Sequence, residues 1–310
     1  MDMQKKLGLS DAYTCLKEAD PDKAGHILVD ALSEDLENPE IIFTLKCANF
    51  WSERMAKIQN FSSPFEKGEA IIDQWKNFCS VFPVRSGEHE QSLYCVRKGV
   101  FTKAKEYYEA ILKEPSGAQK SEIYSRLGLC NKKLGDYESA LKFLSDAVSK
   151  APDSAAVLAE MADTYALAGE SRTAKLLFRE AFFMNAQDID VELLESELFC
   201  NLFEQVADLG YKGAVLLEWI PVYGVLYGVF NIKRTLRVYE IAKLKQSIYA
   251  LENELKEASS EPEELIPRLI NRYFWLIDHY TMSGDDRSKI NELLLKIKLL
   301  DTDIHEKYTV

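Results

Sequence analysis

The side chains that could do chemistry in this 310-residue chain are six cysteines and four histidines, and their spacing favours no standard site. There is no CxxC pair, and no cysteine has a histidine at the spacing of zinc ligands. One short cluster, Glu88, His89 and Glu90 followed by Cys95, contains enough ligand types for a metal ion. A charged helix start followed by a packed cysteine is the simpler interpretation, so we expect no metal and no cofactor.

The sequence motifs of common enzymes are also missing. The chain has no Gly-rich lysine loop for phosphates, no dinucleotide-binding glycine fingerprint, no GxSxG elbow and no HExxH pair. The adjacent acids Glu263–Glu264 and Asp285–Asp286 lie at predicted helix starts, where carboxylates stabilise the positive end of the helix dipole. An enzyme would need a pocket with paired titratable groups, which the sequence does not indicate, so we expect no catalytic activity.

The composition predicts a helical, core-forming and acidic protein. Hydrophobic residues make up 47% of the chain, and its 14 glycines and 9 prolines are too few for a loop-rich or all-β fold. The net charge of −12 repels phosphate backbones, so nucleic acid is not an expected partner. The most basic stretch, residues 233–245, is expected to be the solvated face of a helix, with a basic docking patch as the alternative.

The amino terminus and the cysteines bear on the location of the protein. Residues 1–22 are polar and contain no apolar segment of a signal peptide, which predicts a cytoplasmic protein, or a periplasmic one if a leader has been removed. Cysteines in apolar helical surroundings behave as small hydrophobic residues, so we expect free thiols in a reducing compartment.

Helical periodicity dominates the sequence, and its most informative feature is an internal repeat. Residues 121–154 and 155–188 are each 34 residues long and align without gaps. The aligned pairs are Tyr124 with Leu158, Leu127 with Met161, Gly128 with Ala162, Gly135 with Gly169, Ala140 with Ala174, Leu144 with Phe178 and Ala147 with Ala181. Small residues at this spacing predict antiparallel helices that cross closely, and Gly135 and Gly169 are expected to end the first helix of each pair.

This pattern resembles the tetratricopeptide repeat (TPR). The matching residues in 121–154 are Leu127, Gly128, Gly135, Asp136, Tyr137, Ala140, Ala147 and Pro152. The match departs at Asn131, where the family has an aromatic residue, whereas 155–188 keeps that aromatic as Tyr165 but has Ala186 for the final proline. The resemblance implies an all-α fold, namely an α-solenoid of TPR-like helical hairpins with additional C-terminal helices outside the repeats.

Weaker copies are predicted upstream of the two clear repeats. A ladder of small residues with steps of 44, 36, 36 and 34 comprises Ala24, Gly68, Ala104, Ala140 and Ala174. Gly99 and Ala104 have the separation of Gly135 and Ala140, so a helix is expected at about 88–98, before a second one containing Ala104. Pro39 and Pro64 are expected to begin helices.

The downstream half is predicted to contain long helices. Residues 188–208 are expected to form one amphipathic helix, and residues 209–215 (LGYKGAV) to belong to another degenerate hairpin. A further helix is expected from Val222 to about Ala258, with a coiled-coil-like stripe formed by Ile241, Leu244, Ile248, Leu251 and Leu255. A capping box of Ser260 and Glu263 then precedes a helix ending near 283–284, and a last helix spans about 285–300. We divide the chain into a repeat array, 1–220, and a C-terminal helical region, 221–310, that packs on or caps the solenoid.

The apolar segment 214–232 has three interpretations. The favoured one is a buried helix, broken at Pro221, under the long C-terminal helix. The second is an exposed face for self-association, since Gly224 and Gly228 form a GxxxG pair. The third, a membrane-inserted helix, is disfavoured because Glu218 and Pro221 lie inside it.

Function is expected to come from a surface. TPR hairpins stack into a superhelix whose concave groove is lined mainly by the first helix of each pair. The positions of this sequence that match groove-facing ones are Glu122, Ser125, Leu129, Lys132, Lys133, Ala156, Ala159, Asp163, Ala166 and Leu167. These residues are mostly small, apolar or acidic in 155–188, so the basic carboxylate clamp of some family members is absent or incomplete. We expect a scaffold or adaptor that binds a protein or peptide partner.

The alternative is a homo-oligomerising helical scaffold of a membrane-associated complex, assembled through residues 214–258. Its self-association residues would be Trp219, Gly224, Tyr227 and Gly228. Exposed apolar side chains at Trp219, Val222, Val225 and Tyr227 would favour this alternative over the adaptor.

Overall fold

The computed structural model describes residues 2–82, 84, 87–113, 120–257 and 262–309. Across these residues the chain forms fifteen α-helices, two short 3₁₀ turns and no strand, which confirms the predicted all-α fold. The first seven helices are α1 Asp2–Lys17, α2 Pro21–Glu34, α3 Pro39–Gln59, α4 Pro64–Val81, α5 Glu90–Leu112, α6 Lys120–Leu134 and α7 Tyr137–Lys150. The others are α8 Ala155–Leu167, α9 Ser171–Asn185, α10 Glu197–Ala207, α11 Gly213–Leu226, α12 Val238–Glu254, α13 Pro262–Ser283, α14 Arg287–Leu300 and α15 Thr302–Thr309.

The helices belong to two compact units, Met1–Pro152 (unit 1) and Asp153–Val310 (unit 2). The predicted boundary, between residues 220 and 221, falls inside α11, whereas the two units divide after Pro152. In unit 2 the repeat helices share one hydrophobic core with the C-terminal helices, and Phe178, Trp219 and Phe274 all belong to it. The C-terminal helices α12 to α15 therefore pack with the repeat helices α8 and α9 inside unit 2.

Both clear repeats form the predicted helical hairpins, α6 with α7 and α8 with α9. Gly135 and Gly169 follow the first helix of each pair with φ of 82° and 86°, which a side chain with a Cβ rarely adopts. Asp136 and Ser154 cap α7 and α8 by accepting hydrogen bonds from backbone N–H groups in the first turn. Pro39 and Pro64 begin α3 and α4, as predicted, each after a capping side chain.

The predicted helix break at Gly99 is wrong. Residues 90–112 form the single helix α5, with Gly99 near its middle. A Cβ at Gly99 would overlap the backbone carbonyl of Leu16, so the glycine is needed where α1 crosses α5. A close-approach glycine and a turn glycine have the same sequence signal, which explains the error.

The predicted helix over 188–208 is also wrong. The chain forms 3₁₀ turns at Ala186–Asp188 and Val191–Leu193 before α10 begins. The buried Asp163 carboxylate accepts hydrogen bonds from the backbone N–H groups of Glu195 (3.0 Å) and Ser196 (2.8 Å), which holds this segment non-helical. The predicted hairpin after it is present as α10 and α11, with Gly210 at φ 96° between them.

The predicted helix from Val222 to Ala258 is two helices. Helix α11 continues through Pro221 instead of breaking there, and ends at Leu226. Gly228 then has φ of 70°, and the N–H of Phe230 donates to the carbonyl of Gly224 at 2.7 Å, which turns the chain before α12. Ser260 of the predicted capping box lies outside the described residues.

The remaining C-terminal helices agree with the sequence, with one addition. The stripe on α12 packs against α13, with Leu244, Ile248 and Leu251 buried. Helix α13 ends at Ser283 before Gly284 at φ 65°, and Asp286 caps α14. The short helix α15 was not predicted, and its Ile304 joins the core of unit 2.

Candidate partner-binding sites

Helix α6 carries the groove positions predicted in unit 1. Glu122 is exposed and Ser125 is half-buried, so both are accessible to a partner. Leu129, Lys132 and Lys133 are only 1%, 1% and 3% exposed. The structure therefore leaves the amino-terminal half of α6 as the accessible part of this set, and contact with a partner there stays a prediction.

A polar network, which the sequence analysis missed, holds α6 in unit 1. Arg126 donates to both carboxylate oxygens of Glu69, at 2.7 and 2.6 Å, and the hydroxyl of Tyr108 donates to Glu69 at 2.6 Å. Burial, together with the Glu69 charge, raises the pKa of Tyr108. Since these residues lie on α4, α5 and α6, the network fixes the position of α6 relative to its neighbours.

The departure from the TPR pattern at Asn131 belongs to the same region. Asn131 is fully buried, accepts a hydrogen bond from Lys105 Nζ at 2.8 Å and donates to the Leu127 carbonyl at 2.7 Å. The amide oxygen of Asn131 supplies the acceptor for the Lys105 ammonium. Asn131 thus replaces an apolar contact between helices with a polar one.

Helix α8 carries the groove positions predicted in unit 2. Ala156, Ala166 and Leu167 are half-buried and accessible. Ala159 and Asp163 are fully buried, because Ala159 belongs to the core and Asp163 holds the segment before α10. These two side chains stabilise the fold instead of facing a partner.

The self-association residues lie mostly inside unit 2. Trp219 is 6% exposed and its ring stacks on Tyr211 at 5.0 Å between centroids. Gly224 faces the ring of Phe230, which a Cβ would overlap, and Gly228 lies after the end of α11. The GxxxG pair therefore serves a turn within the chain, and only Tyr227, at 42%, is exposed.

The cluster around His89 forms a hydrogen-bonded network centred on Glu40. His89 Nδ1 and the hydroxyl of Ser92 both contact the carboxylate of Glu40, and the Tyr13 hydroxyl donates to it at 2.8 Å. Since Ser92 is fully buried and bonds to Glu40 instead of to the imidazole, it is not arranged as an activated nucleophile. Over the described residues, no three histidine, cysteine or acidic side chains lie together as metal ligands.

Burial and hydrogen bonding have opposite effects on the pKa of Glu40. Burial raises the pKa of Glu40, but hydrogen bonds from His89, Ser92 and Tyr13 favour the ionised carboxylate, and the net effect is a lowered pKa. Burial also raises the pKa of Tyr13 to about 12. Glu40 thus links α1, α3 and the start of α5 as a carboxylate.

Unit 2 contains a cleft of about 230 Å³ that the sequence analysis did not predict, here called the Arg179 cleft. Its lining comes from α9, the end of α11, the segment between α11 and α12, α13 and α15. The polar lining residues are Arg179, Asn231, Lys233, Asp278, Lys307 and Tyr308. Val225, Leu226 and Phe230 form the apolar part of the lining.

Arg179 is the central charge of this cleft. It is 2% exposed, pairs with the Asp278 carboxylate, and donates from Nη1 to the Ile232 carbonyl at 3.1 Å. Its guanidinium also lies 4.7 Å from the centre of the Trp275 ring. Lys233 approaches the second oxygen of Asp278 at 2.5 Å, so this carboxylate has two cationic neighbours.

The basic stretch 233–245 was expected to be a solvated helix face, but Lys233 and Arg234 form ion pairs within unit 2. Arg234 bridges Glu180 and Glu240, and its pKa is raised by hydrogen bonds to Glu240 and Glu180 despite partial burial. Lys233 lies in the Arg179 cleft. The basic stretch was the sequence signal for this region, but the sequence alone did not show that Lys233 and Arg234 precede α12 or which carboxylates they meet.

A larger cleft, of about 300 Å³, lies along α12, α13 and α14. It contains Lys245, Lys289 and Lys296, together with Glu252 and Glu292. Lys289 pairs with Asp285 at 2.7 Å and Lys296 with Glu252 at 3.0 Å, so its charges are largely neutralised within the chain.

Comparison with known protein families identifies the repeats. Residues 132–198 match the model of the tetratricopeptide repeat, and no curated protein matches the chain. The matched segment contains the α8–α9 hairpin, all of α7 and the end of α6. Residues 132–198 are therefore a tetratricopeptide-repeat segment.

The apolar segment also bears on the membrane interpretation. Among the described residues, none of the helices combines the length and the apolar character needed to cross a membrane. Glu218, within that segment, is 3% exposed and accepts hydrogen bonds from Gln187 at 2.8 Å and from Arg268 at 2.5 Å.

Proposed function

We propose that this protein is a non-catalytic scaffold that binds a protein or peptide partner through the first helices of its tetratricopeptide hairpins. The observation that carries the proposal is the pair of tandem hairpins, α6–α7 and α8–α9, most of which lies within the family match. Hairpins of this kind supply packing and surface, and binding depends on the side chains that this surface presents.

The proposed contact residues are the accessible members of the predicted set. They are Glu122 and Ser125 on α6, and Ala156, Ala166 and Leu167 on α8. Small and apolar side chains on α8 suit a partner helix or extended peptide that approaches closely, because they leave room for its backbone. The net charge of −12 favours partner segments that are basic or neutral.

The homo-oligomer alternative has less support. It required exposed apolar side chains at Trp219, Val222, Val225 and Tyr227. Trp219 and Val222 are 6% and 0% exposed and Val225 is half-buried, which leaves one exposed side chain of the four. The adaptor function is therefore the one we propose.

Site-specific photo-crosslinking in the native cell tests this function. A benzophenone amino acid is placed at Ser125 or Ala166, and, as a matched control, at the exposed Lys142 on the second helix α7. We expect the same partner to be crosslinked from Ser125 and Ala166 and not from Lys142. Equal crosslinking from all three positions, or none from the first two, would contradict the proposal.

A further inference from the structure

We infer that the Arg179 cleft of unit 2 is a binding site for a carboxylate group carried by the partner, either an acidic side chain or a chain end. This inference rests on the proposed scaffold function, because it assigns part of the partner's recognition to a second surface. The cleft lies on α9, the end of α11, the segment after it, α13 and α15, and not on the first-helix positions discussed above.

The first argument is the charge of the lining. Three cations, Arg179, Lys233 and Lys307, face the cleft with one carboxylate, Asp278. The local balance is therefore positive in a chain whose net charge is −12. Such a concentration of cations attracts an anion, and the low-polarity surroundings of a buried guanidinium strengthen that attraction.

The second argument is hydrogen-bonding capacity left over at Arg179. Although this side chain is 2% exposed and bonds to Asp278 and to the Ile232 carbonyl, its Nε–H has no hydrogen-bond partner among the described residues. Buried polar groups are nearly always satisfied, so an unsatisfied one beside a cleft indicates an additional acceptor.

The third argument is the ammonium group of Lys307, which also lines the cleft. Its Nζ lies 5.5 Å from the centre of the Tyr223 ring, and within the described part of the chain no carboxylate pairs with it. Its neighbour Tyr308 stacks on Phe274 at 4.2 Å, which fixes α15 against α13. The C-terminal helix thus holds an available ammonium group at the cleft.

The apolar lining selects among anions. Val225, Leu226 and Phe230 form one part of a cleft of about 230 Å³, a space suited to one side chain or chain end. A phosphate is hydrated on every side and would lose water against these three side chains. A carboxylate attached to a carbon skeleton places its charge on the cations and its apolar atoms against the hydrophobic lining.

The site can be tested with small probes on the intact chain by methyl NMR of Val225 and Leu226. N-acetyl-leucine represents a chain end, and the α-amide of N-acetyl-glutamate represents an acidic side chain. N-acetyl-leucinamide is the uncharged control, and inorganic phosphate tests for a general anion site. We expect saturable shifts with one or both carboxylates, and the tighter one identifies the source.

Two variants make the test specific. Lys307→Glu is expected to weaken carboxylate binding by about fivefold or more, as expected for loss of a partly exposed ion pair. Lys298→Glu, which changes an exposed lysine outside the cleft, is expected to leave it unchanged. Asn231→Glu, at an exposed lining position, should weaken binding without touching the buried pair.

Several results would overturn the inference: no saturable shift with either carboxylate, equal binding of N-acetyl-leucinamide, preferential binding of phosphate, or equal effects of Lys307→Glu and Lys298→Glu. None of these depends on capturing a partner. A partner that crosslinks to Ser125 but binds Lys307→Glu normally would remove the cleft and leave the scaffold function standing.

Discussion

Arg179 and Asp278 form an ion pair whose side chains are only 2% and 6% exposed. Arg179 lies on the second helix of a tetratricopeptide hairpin and Asp278 on α13, so the pair joins the repeat to the C-terminal helices of unit 2. Two cations one turn apart on α9 also hold the segment after α11, since Lys175 and Arg179 donate to the carbonyls of Gly228 (3.3 Å) and Ile232 (3.1 Å).

Asp278→Asn is expected to destabilise unit 2 by about 3–5 kcal/mol, because it leaves the buried Arg179 guanidinium without a compensating charge. Hydrogen exchange of the α9 and α13 amides measures this effect within unit 2. The control Glu306→Gln changes an exposed acid on α15 and should have little effect. Equal protection in both variants would show that the pair contributes nothing.

Gly99→Ala is expected to destabilise unit 1 by about 1–3 kcal/mol, because the added methyl group meets the Leu16 backbone carbonyl. Gly25→Ala is the matched helical control, since its Cβ would meet only Asn49 Oδ1, at 3.7 Å. That change should leave stability unchanged or raise it by up to about 1 kcal/mol. Urea unfolding of the two variants compares them, and an equal midpoint would contradict the crossing of α1 and α5 at Gly99.

Lowering the pH is expected to reduce the stability of unit 1, because it protonates the Glu40 carboxylate. Its pKa is lowered in the folded chain below the ordinary value of 4.5, so its stabilisation is complete above that value and lost as the pH falls through the folded pKa. Glu40→Gln should lower stability at neutral pH and flatten the dependence below about pH 4.5. Thermal unfolding at a series of pH values measures this, and an unchanged slope in the variant would exclude Glu40 as a source.

Thiol reactivity is expected to be confined to Cys79. Cys79 is partly exposed, whereas the other five cysteines are buried, namely Cys15, Cys47, Cys95, Cys130 and Cys200. Burial raises the pKa of the Cys47 thiol to about 12, which further reduces its reactive thiolate form. Titration of the native protein with a disulfide reagent should modify one thiol quickly, and Cys79→Ser should remove that phase. Fast modification of any thiol in that variant would contradict the prediction.

The sequence predicted what depends on local spacing. Gly135 and Ala140 lie five residues apart in one hairpin, so their roles could be read from a single repeat. The predicted helix break at Gly99 was wrong, because the contact that requires this glycine comes from Leu16, which is distant in the sequence. The family match over residues 132–198 agrees with the part of the chain where local spacing was clearest.

The candidate site was predictable only in part, for a related reason. Alignment to the repeat pattern identifies which positions share a helix face, but it did not show that Asp163 would hold the backbone of Glu195 and Ser196. The Arg179 cleft requires α9, α13 and α15 to meet, and the spacing of residues within one helix carries no information about such a meeting.

The most direct test of the scaffold function is the affinity of the crosslinked partner for purified variants by isothermal titration calorimetry. Ala166→Arg on α8 introduces bulk and charge at a proposed contact, and Lys142→Glu on α7 is the control. We predict that Ala166→Arg weakens binding by about tenfold or more while Lys142→Glu changes it little. Unchanged binding by Ala166→Arg, or an equal loss of affinity in Lys142→Glu, would contradict binding through the first helices of the repeats.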